Sequence, residues 1–196
     1  MGCVIETEQS HQMINCSSVL SFVSPSDCCE LELDTNSVNR NLHLCDNRKV
    51  VLVEKEQPYP DHPDRLDSWQ LLCRTGLTGG CYWEVEWRGV VQTSVSYRGT
   101  RRKGNSGDCV FGGNDQSWSL DCSDVVGSVY VDCPAGTLSS YRVSSDSLIH
   151  LHTFNTSFTE PLYPGFSLWS PGSSVSLCSL EEGECYDVTA ASSRCF

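Results

Sequence analysis

Residues 81–87 read Cys-Tyr-Trp-Glu-Val-Glu-Trp, a run in which apolar and charged side chains alternate directly after two glycines. Successive side chains of a β-strand point to opposite faces, so this period of two predicts a strand. Both tryptophans and Val85 are expected in a core, and Glu84 and Glu86 are expected in water. Such a strand needs a second layer to bury its apolar face, so the run predicts a sheet protein.

Short alternating runs recur along the chain from residue 31 onward. The clearest is residues 91–97, in which every second side chain is Val, Thr, Val and Tyr, and others lie at residues 129–133, 149–153 and 175–177. Gly, Pro, Asn and Asp separate these runs, as in turns between strands. Only Trp69, Leu72 and Cys73 have a helical spacing, enough for a single turn. The pattern predicts an all-β fold, a sandwich of two antiparallel sheets.

The two ends of the chain and its composition set further limits. Residues 1–28 are polar and without a sustained period, which predicts a disordered N-terminal segment. A net charge of −12, from 25 acidic and 13 basic residues, opposes a nucleic-acid partner. No apolar run is long enough to span a bilayer, and the first residues do not resemble an export signal. We therefore expect a soluble, cytoplasmic protein of one domain with no membrane contact.

Thirteen cysteines are present, but none forms a Cys-x-x-Cys pair of the kind that structural zinc sites repeat. An odd number of cysteines without an export signal favours reduced, mostly buried thiols, and a set of disulfides is the alternative. His150 and His152 are predicted to share one face of a strand, yet no third metal ligand has a matching spacing. The sequence therefore predicts no metal and no cofactor.

Catalytic patterns are weak in this sequence. Glu84 and Glu86 are a carboxylate pair, but two glutamates on the wet face of a strand are typically solvated. The glycine-flanked residues 99–104 lack the Gly-Lys-Ser/Thr ending of a phosphate-binding loop. The chain is therefore not expected to be an enzyme.

Several sequence blocks carry a resemblance to a known module. They are residues 31–36 (Leu-Glu-Leu-Asp-Thr-Asn), 39–42, 46–50 and 67–73, followed by 76–79, 82–87, 95–97, 118–120, 135–138 and 162–166 (Leu-Tyr-Pro-Gly-Phe). Residues 29–180 resemble a PRY-SPRY module, or B30.2 domain, of tripartite-motif ubiquitin ligases, butyrophilins and fish NACHT leucine-rich-repeat receptors and stonustoxin-like proteins. The resemblance divides the chain into a PRY part at 29–80, a SPRY part at 81–180 and a tail at 181–196.

The resemblance implies a distorted, concanavalin-like jelly-roll sandwich that binds a protein partner through loops at one end. The implied loops are residues 57–68, 98–108, 114–121 and 168–173. For Trp118 a place in the core is an equal alternative to a contact role. The candidate contact residues are Tyr59, Asp61, Asp64, Arg65, Arg98, Arg101, Arg102, Trp118, Asp121, Trp169 and Ser170.

The chain departs from the resemblance near residues 125–128. Relatives continue after Asp124 through a further strand and loop, whereas this chain reaches its next alternating run after four residues, Val125 to Ser128. A missing strand leaves its neighbour with unpaired backbone groups, each lost hydrogen bond being worth about 0.5 to 1.5 kcal/mol. The shortening therefore predicts an open sheet edge.

The function implied by the resemblance is non-catalytic recognition of a protein partner, in innate immune sensing or in substrate selection for a ubiquitin ligase. Two alternatives stay open. One is a secreted carbohydrate-binding or toxin-like domain, and the other is a truncated product with impaired binding.

Overall fold

Eleven strands form in the part of the chain that the computed structural model describes, residues 25–104, 106–122, 126–144 and 147–179. In these ranges the helical elements are the 3-10 turns Pro25–Asp27 and Gly107–Cys109, and no helix has the length and apolar character needed to cross a bilayer. The strands are β1 Leu42–Leu44, β2 Lys49–Leu52, β3 Gln70–Leu72, β4 Gly80–Arg88, β5 Val91–Tyr97, β6 Ser117–Cys122, β7 Val126–Asp132, β8 Thr137–Ser144, β9 Ser147–Asn155, β10 Leu162–Leu168 and β11 Ser174–Leu177.

The strands form two antiparallel sheets, which confirms the predicted all-β sandwich. The larger sheet has the order β1-β2-β11-β4-β7-β8-β9, and the smaller sheet has the order β3-β10-β5-β6. The alternating run of residues 81–87 lies within β4, between β11 and β7 in the larger sheet. The run of residues 91–97 is β5, between β10 and β6 in the smaller one.

The core lies between the two sheets and is built from the faces that the alternation predicted. Trp83 and Val85 of β4 are buried in one cluster with Val95 of β5 and Phe166 of β10. A fully buried aliphatic or aromatic side chain contributes about 1.5 to 3 kcal/mol relative to an exposed one, so these residues stabilise the contact between the sheets.

The outer face of β4 differs from the prediction, because Glu84 is buried whereas Glu86 is exposed. The hydroxyl of Tyr82 donates to the Glu84 carboxylate at 2.6 Å, and the amide of Cys178 donates to the carbonyl of Glu84 at 3.0 Å. Burial, with a smaller effect of the Glu84 charge, raises the pKa of the Cys178 thiol to about 12. The alternation did not reveal this burial because Glu84 is contacted by Cys178, which is distant in the sequence.

The end of the N-terminal segment packs against β4. Cys29 donates its amide to the carbonyl of Tyr82 at 2.9 Å, and the hydroxyl of Tyr130 donates to the Asp27 carboxylate at 3.2 Å. Residues 27 and 29, at the end of the segment predicted to be disordered, therefore pack against the larger sheet, and residues 1–24 lie outside the described residues. The tail predicted at residues 181–196 also lies outside them.

A disulfide joins Cys29 to Cys81, with their Cα atoms 5.6 Å apart. This bond corrects the expectation of a reduced thiol at Cys81. Among the described thiols, those of Cys45, Cys73, Cys109, Cys133 and Cys178 form no disulfide, and burial raises the pKa of the fully buried Cys73.

A bulge in β9 overturns the prediction that His150 and His152 share one face. His152 lies opposite Ser140, but the register shifts at the next position of β8, so that His150 lies opposite Tyr141. Adjacent residues of β8 point to opposite faces, and their two histidine partners therefore do so as well. The ring of His150 packs against Tyr141 on one face, and the ring of His152 packs against Phe154 on the other.

The shortened connection leads from the edge of the smaller sheet to the interior of the larger one. β6 pairs with β5 and has no second neighbour among the described strands, whereas β7 is paired on both sides. Residues 123–125 of this connection lie outside the described residues, so the open edge expected there stays a prediction. Near the start of β7, Gly127 lies directly against the indole of Trp87, where a Cβ atom would overlap the ring.

Candidate functional site

Three exposed apolar residues lie at one end of the smaller sheet, where backbone hydrogen bonds of residues 168 and 169 bring their chain segments together. The amide of Leu168 at the end of β10 donates to the carbonyl of Trp69, and the next amide, that of Trp169, donates to the carbonyl of Val90. Trp69 and Trp169 are each 39% exposed and Val90 is 55% exposed. We call these three residues the tryptophan end.

Polar contacts hold the loop that carries Trp169. Its indole N–H donates to Oε1 of Gln92 at 3.1 Å, and Nε2 of Gln92 donates to the Asp121 carboxylate at 2.6 Å. Ser173 accepts from the amide of Val90 at 3.1 Å and shares a 2.8 Å hydrogen bond with Ser170. These contacts bring the candidate residues Asp121, Trp169 and Ser170 into one neighbourhood.

A layer of charged residues covers the outer face of the smaller sheet. Arg98 contacts the buried carboxylate of Asp34 at 3.3 Å and Asp64 at 2.5 Å, and its guanidinium lies over the ring of Tyr163. Burial would lower the pKa of Arg98, but the hydrogen bonds and charges of the two carboxylates outweigh it and raise that pKa. The Arg98 side chain therefore joins loop 57–68 to loop 98–108 through its ion pair with Asp64. We call Asp64, Asp67, Arg98, Arg102 and Lys103 the charged layer.

The other members of the charged layer also bridge these two loops. Arg102 donates to the carbonyls of Asp64, at 3.0 Å, and of Arg98, and burial lowers its pKa. Asp67 accepts from the amide of Gly104 at 2.9 Å and from Lys103 at 3.2 Å. The Gly104 hydrogen bond is the main reason that the pKa of Asp67 is lowered. Because Asp67 precedes Trp69 by two residues, the charged layer borders the tryptophan end.

Two candidate residues lie apart from this layer at the surface. Asp61 is exposed and pairs with Arg40 at 2.5 Å, and Arg101 pairs with Asp108 at 3.3 Å, both fully or largely in solvent. Exposed pairs of this kind contribute about 0 to 1 kcal/mol, so these side chains are available to a partner.

Three further candidate residues have packing roles. Arg65 is only 5% exposed and donates to the carbonyls of Val38, at 2.5 Å, and Pro60, at 2.8 Å. The hydroxyl of Tyr59 bonds to the backbone of β1. Trp118 points to the inner face of β6 and packs edge-to-face with Tyr97 and Phe158. Arg65 is therefore buried and not a surface residue, and Trp118 packs against the core, as the alternative for this residue had it.

Trp69 and Val90 were missed as surface residues. Trp69 was assigned to a single helical turn, but it lies in a bend that leads into β3. An aromatic residue beside a polar turn is the same signal that identified Trp169, and it was present at Ser68-Trp69 as well. Val90 lies in the turn after Gly89, and no sequence pattern marks its exposure.

No group of three or more His, Cys, Asp or Glu side chains is arranged to hold a metal ion within the described ranges. The groups that these surfaces expose are indoles, an aliphatic side chain and paired charges.

Comparison with known proteins agrees with this geometry. Residues 31–77 match the family described as PRY, SPRY-associated domain. The chain is 37% identical over 169 residues to stonustoxin subunit alpha of Synanceia horrida, an alignment that covers 74% of this chain and 24% of the toxin subunit. Its fold matches the PSpry domain of TRIM65 with a TM-score of 0.72, covering 79% of this chain and 93% of that domain.

This chain is a PRY-SPRY domain protein. At 24% identity the TRIM65 likeness shows the fold. The PRY-SPRY protein is also 32% identical over 178 residues to Tripartite motif-containing protein 16 of Mus musculus, covering 79% of this chain and 32% of that protein. It thus spans about a quarter to a third of the curated relatives named here.

Proposed function

We propose that this PRY-SPRY protein is a non-catalytic recognition module that binds a protein partner through the tryptophan end. The observation that carries the proposal is the gathering of Trp69, Val90 and Trp169 at one place. Binding energy in protein interfaces is concentrated in a few residues, and tryptophan is enriched among them. Exposed apolar side chains that lie together are a feature of interaction sites.

The charged layer supports this role by giving the surface an orientation. Charges beside an apolar contact favour partners of complementary charge and disfavour others, even where they add little affinity. In the charged layer Lys103 pairs with Asp67, and Arg98 pairs with Asp34 and Asp64, so charges of both signs are present. A partner surface with charges of both signs around an apolar centre fits this arrangement best.

In the cell, the proposed role is innate immune sensing or selection of substrates for a ubiquitin ligase, in the cytoplasm. Kinship with Tripartite motif-containing protein 16 supports this role. The full length of such a relative includes regions that the present chain does not match, so any ligase activity would belong to another part of a longer protein or to another subunit.

A second candidate is a secreted, toxin-like domain, with carbohydrate binding as one form of it. Two observations favour it: the Cys29–Cys81 disulfide, because disulfides persist in oxidising compartments, and the 37% identity to stonustoxin subunit alpha. A glycan array and a red-cell lysis assay test this candidate. Binding to a glycan or lysis by the purified chain would favour it over cytoplasmic recognition.

The decisive experiment is proximity labelling in cells with the full chain and with the double variant Trp69→Ala/Trp169→Ala. Proteins labelled by the wild type and lost with the double variant are the expected result. Arg101→Ala is the matched control, since Arg101 is exposed but lies outside the tryptophan end. Identical labelling by all three forms would refute the proposed surface.

A cooperative thermal unfolding transition must accompany this experiment. The shortened connection raises the alternative of a truncated product with impaired binding, and such a product would unfold over a broad range without cooperativity. A sharp transition in both forms shows that lost labelling reports the surface and not unfolding.

A further inference from the structure

The two sheets of the sandwich differ in width at the β6 edge. Seven strands face four, and the larger sheet continues beyond β7 through β8 and β9. Thr93 and Leu120 of the smaller sheet form one wall of a narrow cleft at this edge, with an interior volume of about 20 Å³, room for about one water molecule. Val129 of β7, Ser140 of β8 and Leu151 of β9 line the other wall. Ile149 and Leu151 of β9 remain exposed beyond this cleft, whereas Ser140 of β8 is buried.

Polar and apolar side chains at this cleft both lack part of their usual contacts among the described residues. Among the described residues, the buried hydroxyls of Thr93, Ser128 and Ser140, all of which line the cleft, have no hydrogen-bond partner. Ile149 and Leu151 of β9 are 44% and 45% exposed. Buried hydroxyls are normally paired, and exposed aliphatic side chains that lie together mark contact sites.

The free edge of β6 determines what can fill this cleft. Tyr97 donates its amide to the carbonyl of Gln116, one step before the strand, and antiparallel pairs alternate between bonded and non-bonded positions. The backbone groups of Ser117, Ser119 and Asp121 therefore point away from β5, toward the open edge. A row of such groups is complementary to another extended backbone.

We propose that the β6 edge and its cleft bind an extended peptide segment of a partner protein, which adds a strand to the smaller sheet. Backbone hydrogen bonds to Ser119 and Asp121 would hold the segment, and every second side chain would cover Leu151 and Ile149. Addition of a strand to an exposed sheet edge is an established mode of peptide recognition. This site adjoins the tryptophan end, because Asp121 accepts from Gln92, which in turn accepts from Trp169, but its proposed contacts run through the backbone of β6 and the side chains of β9.

The shape of the edge favours a single segment over a second copy of this chain. Strands in a sheet lie about 4.8 Å apart, so β8 and β9 extend the larger sheet roughly 10 Å beyond β7. If two copies met edge to edge through β6, their projecting β8 and β9 strands would collide first. A recessed edge of this width admits one or two extended segments and excludes another sandwich of the same shape.

Selection from a phage-displayed library of random dodecapeptides tests the proposal on the full chain. Peptides that bind the wild type are counter-selected against Leu151→Lys, which places a charge on the floor of the cleft. The expected peptides alternate apolar and polar residues and bind Leu151→Lys and Ile149→Lys at least tenfold more weakly. The matched control is His43→Lys, at an exposed residue of β1 on the opposite edge of the larger sheet, which should bind them unchanged.

Hydrogen exchange shows whether the backbone of β6 takes part. Binding of a selected peptide should slow amide exchange in residues 117–122 at least tenfold, and methylation of alternate peptide nitrogens should abolish binding. The proposal is overturned if no peptide survives the counter-selection, or if bound peptides leave exchange in β6 unchanged.

Two other occupants have their own signatures, and either would overturn the proposal. A dimer seen by light scattering that Leu151→Lys dissociates would identify a second copy. Faster exchange at residues 117–122 after removal of residues 1–24 or 180–196 would identify a segment of this chain.

Discussion

The indole N–H of Trp169 donates to Oε1 of Gln92 at 3.1 Å, across 77 positions of the sequence. One side chain belongs to a loop and the other to β5, so the hydrogen bond holds an exposed tryptophan against the sheet. A side chain that is held in its binding conformation loses less entropy when a partner arrives.

Gln92→Ala should therefore weaken partner binding several-fold, although Gln92 itself need not touch the partner. The hydrogen bonds lost, to Trp169 and to Asp121, are exposed, so the free energy of unfolding should change by less than about 1 kcal/mol. Titration with a partner identified by proximity labelling, together with urea unfolding, measures both quantities. Gln116→Ala is the control, because Gln116 is exposed and its side chain does not contact Trp169. Equal binding by both variants would show that the contact to Gln92 is irrelevant.

Arg98→Met should destabilise the fold because it leaves the buried Asp34 carboxylate without its cation. Hydrogen bonds to charged groups contribute about 1.5 to 3 kcal/mol, so a loss in that range is expected in urea unfolding. Arg101→Met removes an ion pair in which both side chains are more than half exposed, and it should cost at most about 1 kcal/mol. Similar losses from the two substitutions would contradict the structural role of Arg98.

Asp67 should make stability depend on pH in the acid range. Its folded-state pKa is lowered from 3.8, chiefly by the hydrogen bond from the Gly104 amide. The stabilisation is complete above the unfolded-state pKa and is lost as the pH falls through the lower folded-state pKa. The difference in unfolding free energy between wild type and Asp67→Asn should be constant above about pH 5 and should shrink below it. A difference that is the same at pH 2 and pH 7 would argue against this contribution.

Reduction of the Cys29–Cys81 disulfide should lower stability. Its ends are 52 positions apart, and the loop-entropy relation gives about 4 kcal/mol for a loop of that length. Alkylation under native conditions, followed by reduction and mass spectrometry, should show two newly reactive thiols, at Cys29 and Cys81. Denaturant unfolding with and without reductant then measures the loss. Alkylation of Cys29 and Cys81 before reduction would mean that the bond is absent in that preparation.

Gly127→Ala should destabilise the sandwich at the shortened connection, because the new Cβ would overlap the indole of Trp87. Overpacking of a core typically costs about 1 to 3 kcal/mol. Gly79→Ala introduces the same methyl group where no atom lies within 4 Å. Thermal melts of the two variants should therefore differ, with only Gly127→Ala lowering the melting temperature by several degrees.

Much of the candidate surface followed from local signals. Trp169 stands beside a Pro-Gly turn, and Arg98, Arg101 and Arg102 cluster after a strand, so their presence in loops was predictable. The partners of these residues were not, because Arg98 meets Asp34 and Asp64 through loops distant in sequence. The same holds for Arg65, which reads as a loop cation but is buried among backbone carbonyls.

The sequence by itself determined the inner faces of β4 and β5, since a period of two allows only one face of each strand to be apolar. The tertiary structure alone decided the burial of Glu84, the opposite faces of His150 and His152, and the meeting of Trp69 with Val90 and Trp169. Alternation is a property of neighbouring residues, whereas a covered outer face, a bulge or a shared end depends on how distant strands pair.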